Sequence, residues 1–122
     1  MILDRELLER PGELRRIVVH ELFHFVWLRL GNPTRAGWDA LLRREKGSGE
    51  LGWSSEWRKR ERPAFGSRRW REYVCESFCD TAAWLYARLK RHKEFTLGGE
   101  ARRRRAAWFQ AMVEGRPEGL RL

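Results

Sequence analysis

The sequence predicts a mainly α-helical domain (α+β at most) with little or no sheet, residues 1–122 forming a single unit. Two observations predict this. Apolar residues recur at helical spacing through nearly the whole chain, between Pro, Ser and Gly punctuation. Hydrophobic residues make up 42% of the 122 positions, and seven tryptophans and six phenylalanines supply one core but hardly two. That aromatic content excludes a disordered chain, which has too little apolar surface to offset its ordering entropy.

Pro11-Gly12-Glu13 suits the first turn of a helix that continues through Leu14, Ile17, Leu22, Val26 and Leu30 to Gly31. Val18 to Leu28 is apolar on nearly every side, which predicts a helix buried all round. Asn32-Pro33 caps and starts a second helix to about Lys46, and Gly47-Ser48-Gly49 reads as a flexible connection. Leu51 to Trp57 is ambiguous between a short strand and a brief helix from Ser54 or Ser55. After the break at Pro63 to Gly66, Ser67 caps the longest helix, about Arg68 to Arg91, with Trp70, Val74, Phe78, Leu85 and Leu89 as its stripe. Thr96 caps a last helix, about Gly99 to Glu114, closed by Gly115 and stopped by Pro117.

The formal net charge is +9, with bases clustered at 58–62, 68–71, 88–93 and 102–105. Such a charge attracts anionic partners, but Arg-rich solvated helix faces account for it more simply. No apolar run reaches the roughly 20 residues of a membrane span, and charges at Asp4 and Arg5 interrupt any leader peptide. The expected compartment is the cytoplasm. Ile2-Leu3 reads like the tail of a strand, as if the start cut into a longer N-terminus. Cys75 and Cys79, four apart on one helix, read as small buried hydrophobes in a reducing compartment.

The residues that carry chemistry are His20-Glu21-Leu22-Phe23-His24. Histidines at i and i+4 stand side by side on a helix, so both imidazoles reach one metal, and zinc suits them. Glu21, next to the first ligand, is placed to contact a water on that metal without ligating. Burying this His-Glu-His triple without a metal would cost on the order of 1–3 kcal/mol for each unpaired polar group. A third protein ligand is needed, and Glu76 with Asp80 four residues on offers a ligating carboxylate and an acid that orients an imidazole. Glu72 competes with Glu76 but reads as a surface acid paired with Arg68 or Arg69. His92, among Lys90, Arg91 and Lys93, reads as an exposed helix end.

These two motifs, His-Glu-x-x-His and Glu-x-x-x-Asp, resemble the gluzincin branch of the zincin metallopeptidases, and the short chain is similar to minimal "mini-zincins". No Gly-x-x-His follows His24, which sets the chain apart from the metzincin branch. The resemblance implies a zincin-like core in which the His20/His24 helix packs on the Glu76 helix. It implies Zn2+ held by His20, His24 and Glu76, Glu21 as general base, Asp80 behind a ligand and a peptide or protein as substrate. Tyr73 and Tyr86 flank the ligand helix as candidates for an oxyanion helper, although packing is the simpler role for each. The alternatives are a non-catalytic structural or regulatory zinc module, and a SprT-like protease associated with nucleic acid, whose third histidine only His92 supplies.

Overall fold

A computed structural model describes residues 11–89, 91–116, 119 and 120. They form five helices: α1 (Pro11–Arg29), α2 (Asn32–Arg44), α3 (Trp53–Arg60), α4 (Arg68–Tyr86) and α5 (Gly99–Glu114). The fold is mainly helical, with no strand among the described residues. Ile2-Leu3 and Pro117 lie outside the described residues. No helix among those described is long and apolar enough to cross a membrane.

Helix α4 touches all four others, and its contact with α1 is the most extensive in the fold. Trp70, Tyr73, Val74, Ser77, Phe78 and Thr81 recur at three- and four-residue intervals along its buried side. Phe78 sits at the centre, fully buried, with the rings of Phe23, Trp27, Trp38, Trp108 and Phe109 at centroid distances of 5.0 to 6.2 Å. Pairs in this range contribute beyond the area that they bury. Ser67 caps α4, its side chain accepting from the Trp70 amide at 3.1 Å.

Several local expectations are corrected. Helix α1 is not buried all round: only its Val19, Phe23, Val26, Trp27 and Leu30 side joins the core, while Leu22, Phe25 and Leu28 are 40, 54 and 69% exposed. Helix α4 ends at Tyr86 rather than near Arg91. There Arg88 adopts φ 60°, and the Ala87 carbonyl, which a longer helix would use, accepts from Arg15 Nε at 3.0 Å. Gly31 rather than Asn32 occupies the cap position of α2, and Gly98 rather than Thr96 that of α5. Thr96 instead bonds across the chain: its amide and that of Leu97 donate to the Glu50 carbonyl at 2.8 and 2.9 Å. Gly49 is tightly packed in this contact, since a Cβ there would stand 2.2 Å from the Thr96 carbonyl oxygen. The ambiguous segment resolves as α3, starting at Trp53.

Not all the arginines are solvated. Arg105, on α5, is fully buried and pairs with Glu45 at 2.6 Å and Glu50 at 2.8 Å. Glu50 is equally buried and also accepts hydrogen bonds from the Tyr73 hydroxyl and, at 3.3 Å, from the Ser77 hydroxyl. Burial opposes ionisation of Glu50, but Arg105 outweighs it and holds the carboxyl well below the usual range. A buried ion pair is tolerated only when its remaining lone pairs and protons are satisfied in this way.

Candidate metal centre

Helices α1 and α4 bring three ligand-type atoms together. His20 Nε2 and His24 Nε2 lie 3.3 Å apart, and Glu76 Oε2 lies 3.3 Å from the first and 3.2 Å from the second. The two imidazoles meet edge to face along α1, their centroids 5.0 Å apart, because positions four apart share a helix face. Glu76 reaches them because the apolar sides of α1 and α4 pack together. A tetrahedral zinc with bonds of about 2.0–2.1 Å sets its ligand atoms about 3.3 Å apart. The triangle has that edge.

Glu76 Oε2 is buried and has no hydrogen-bond partner among the described residues. A buried carboxylate oxygen facing two imidazole nitrogens is held there by a shared positive charge, either the imidazole protons or a metal ion that displaces them. The donor set therefore fits a divalent metal of the zinc type, with one face left to solvent: His24 is 35% exposed in its side chain, His20 14% and Glu76 17%.

Asp80 fixes the chemistry of His20. Its Oδ1 lies 2.8 Å from His20 Nδ1. A buried carboxylate accepts, so Nδ1 carries the proton and Nε2 turns its lone pair to the triangle. The other oxygen, Oδ2, accepts from the Ser55 amide at 3.0 Å and the Ser55 hydroxyl at 2.7 Å. Ser55 lies in the first turn of α3, where amides lack helical partners. The cap position of α3 is Gly52, which has no side chain to offer. Asp80 takes over that role from another helix, and a Cβ on residue 52 would stand 2.3 Å from its carboxyl carbon.

His24 is oriented by sulfur, with Cys75 Sγ 3.7 Å from its Nδ1. Cys75 and Cys79 are both free thiols. Cys79 is fully buried, but Cys75 is only part-buried and is more than a small hydrophobe.

The charges of the metal-free cluster are strongly coupled. Burial disfavours charging His20, but its contacts with Asp80 and Glu76 prevail and lift it to about 9. The contact with Cys75, then that with Glu76, lifts His24 to about 10. Burial raises the Glu76 carboxyl, yet the two imidazoles hold it far below the ordinary range.

The chain matches no protein-family model, no curated protein and no solved structure. The functional reading rests on the site's own geometry.

Glu21 is exposed at the edge of the centre. With His20, Asp80, Arg16 and Ser54 it lines a cleft of about 170 Å³. Glu72 is half exposed and pairs with Arg68 at 3.4 Å. His92 is not an exposed helix end. It is 13% exposed in its side chain and lies 2.8 Å from Glu13, in a separate cluster with Glu94 that Arg16 already bridges at 2.7 and 3.1 Å. Neither tyrosine faces the triangle as an oxyanion helper would. Tyr73 is buried on Glu50, and Tyr86 stacks on Phe23 at 5.5 Å.

Gly52, Ser55, Cys75 and Arg58, whose Nη1 lies 3.9 Å from Glu76 Oε1, escape a reading of sequence spacing. Only the Trp53-Ser54-Ser55-Glu56 start of α3, with serines suited to a first turn, hints at an ordered segment there.

Proposed function

We propose that this chain is a zinc-dependent peptidase, with His20, His24 and Glu76 holding the metal and Glu21 acting as general base. The observation that carries the reading is the triangle of 3.2 to 3.3 Å edges, closed on one side by an unpartnered carboxylate oxygen. When bound, zinc acidifies a water and polarises a carbonyl.

Each residue has a part in that chemistry. Asp80 keeps the His20 proton on Nδ1 and its ring in place. Cys75 does the same more weakly for His24. Glu21, solvent-exposed beside His20, accepts a proton from water and returns it to the leaving amine. The open face supports the catalytic reading over a structural zinc site, which is closed by four protein ligands.

The test is paired. The purified protein should contain one equivalent of zinc, and Glu21→Gln should keep that zinc while losing peptide hydrolysis by 100-fold or more. If His20→Ala unfolds the domain while Glu21→Gln changes no measurable activity, the centre is structural.

A further inference from the structure

The metal centre has a cationic neighbour with no role in holding it. Arg58, on α3, places Nη1 3.9 Å from Glu76 Oε1, the carboxylate oxygen turned away from the imidazoles. That is too far for a hydrogen bond. Nη1 is instead committed to the Ser54 carbonyl at 2.6 Å, and the Trp57 ring lies 4.2 Å from the guanidinium carbon. The head group is therefore fixed from two sides. Nε is shut off from water with no acceptor among the described residues.

A guanidinium in this state is poorly solvated. One nitrogen is spent on a backbone carbonyl, one is orphaned, and Nη2 alone is left to meet an outside acceptor, so an anion there gains a charge-assisted bond. Arg16, across the centre, also has a buried Nε without an acceptor among the described residues, but its charge is already paired with Glu13 and Glu94 through Nη2. Arg58 also lines a second cleft, of about 250 Å³, with Trp57, Glu61, Arg69 and Glu72. There Arg69 pairs with Glu61 at 3.3 Å and Glu72 with Arg68 at 3.4 Å, which leaves Arg58 with no acid closer than Glu76, at 3.9 Å, among the described residues. Glu76 lies 3.3 Å from His20, which lines the first cleft, and 3.9 Å from Arg58, which lines the second.

We propose that Arg58 binds a carboxylate of the substrate, so that the centre selects peptides bearing a negative charge close to the bond it cleaves. The proposal rests on the peptidase reading. It adds a substrate class: peptides ending in a free carboxylate near the scissile bond, or carrying an acidic side chain there. Arginine suits the task better than lysine, because its planar fork matches carboxylate geometry.

The experiment uses full-length Glu21→Gln protein loaded with zinc and titrated calorimetrically with three peptides: tri-alanine, tri-alanine amide and Ala-Ala-Glu amide. Tri-alanine should bind at least tenfold more tightly than its amide. Binding of Ala-Ala-Glu amide at the strength of tri-alanine assigns the pocket to any carboxylate, and binding at the strength of tri-alanine amide assigns it to the chain terminus. Arg58→Gln, in the same background, should keep its zinc and lose the preference, and Arg58→Lys should keep part of it. A preference that survives in Arg58→Gln means that zinc itself reads the carboxylate, and it overturns the proposal. So do equal binding of all three peptides, absence of binding, and loss of zinc from both Arg58 variants, which would make Arg58 a support for Glu76. Zinc content measured on the same samples separates the two levels, since parent protein that holds no zinc refutes the peptidase reading itself.

Discussion

Asp80 occupies the space that a side chain on residue 52 would need: a Cβ on Gly52 would lie 2.3 Å from its carboxyl carbon. Gly52→Ala should therefore push Asp80 off His20 Nδ1 and off the first turn of α3 together. Overpacking of this kind costs about 1–3 kcal/mol, and loss of a ligand-orienting carboxylate weakens metal binding by about 10- to 100-fold. Competition with a chromophoric chelator reads the second effect. Unchanged affinity in folded Gly52→Ala would show that Asp80 does not tune the centre.

The ligand set makes a second prediction. Glu76→Ala should lose most of the metal, and Asp80→Ala should weaken affinity by about 10- to 100-fold. His92→Ala should retain the metal, because His92 belongs to the Glu13 and Glu94 cluster, but it should lower the melting temperature. It removes one of the two partners of Glu13 and leaves Arg16 at 2.7 Å, a loss on the order of 0.5–1 kcal/mol. Elemental analysis and thermal melts check the three variants. A His92→Ala protein stripped of metal, beside a Glu76→Ala protein that keeps it, would mean a three-histidine centre.

The pH dependence has a definite sign. In the metal-free protein His20 and His24 are raised to about 9 and about 10, so the stability they contribute is complete below their unfolded values near 6.5 and is lost as pH rises through 9 to 10. Glu76 is depressed, so its contribution is present above about 4.5 and is lost as pH falls towards its folded value. Metal competes with those imidazole protons, and zinc affinity should rise from pH 6 to pH 9 with at least one proton released per ion. Calorimetry in buffers of different ionisation enthalpy counts that proton. Zinc uptake without proton release would contradict the assignment.

Metal removal should destabilise the fold. On the proposed ligand set zinc would bind the native arrangement alone, so excess zinc should raise the melting temperature and a chelator should lower it. An unchanged melt after verified removal would mean that the triangle stands without the ion.

The buried ion pair makes the last prediction. Arg105→Leu leaves Glu45 and Glu50 without their buried cation, and breaking such a pair costs about 3–5 kcal/mol. Urea denaturation should show a loss of this size. A loss below 1 kcal/mol would mean that water or Lys59, 3.5 Å from Glu50, takes over.

The candidate site was legible in the sequence where spacing alone puts groups on one face, as with His20 and His24 or Glu76 and Asp80. The helical class was legible from the same periodicity. Spacing does not show what a helix meets. Leu22, Phe25 and Leu28 make α1 read as central, yet its core side needs only Val19, Phe23, Val26, Trp27 and Leu30. The Asp80 to Ser55 contact joins residues 25 apart, and the Glu50 to Arg105 contact joins residues 55 apart. Neither follows a local period. The end of α4 escaped for the opposite reason: Arg88 is a good helix former whose left-handed turn answers to packing rather than to propensity.

His20 and His24 are four positions apart, while the hydrogen bond from His20 to Asp80 joins residues 60 apart. The two halves of the centre therefore differ in the length of chain that must close before each can form. The histidine pair forms as soon as α1 coils, on a submicrosecond to microsecond scale. Glu76 and Asp80 join it only after the intervening chain has closed its long loop. If the proposed metal is zinc, a half-folded chain would carry a two-ligand trap for it, and metal bound there would lower the net stabilisation that the native site delivers. Zinc concentration during refolding becomes a kinetic variable, able to hold early α1 in register or to bridge the histidine pairs of two separate chains.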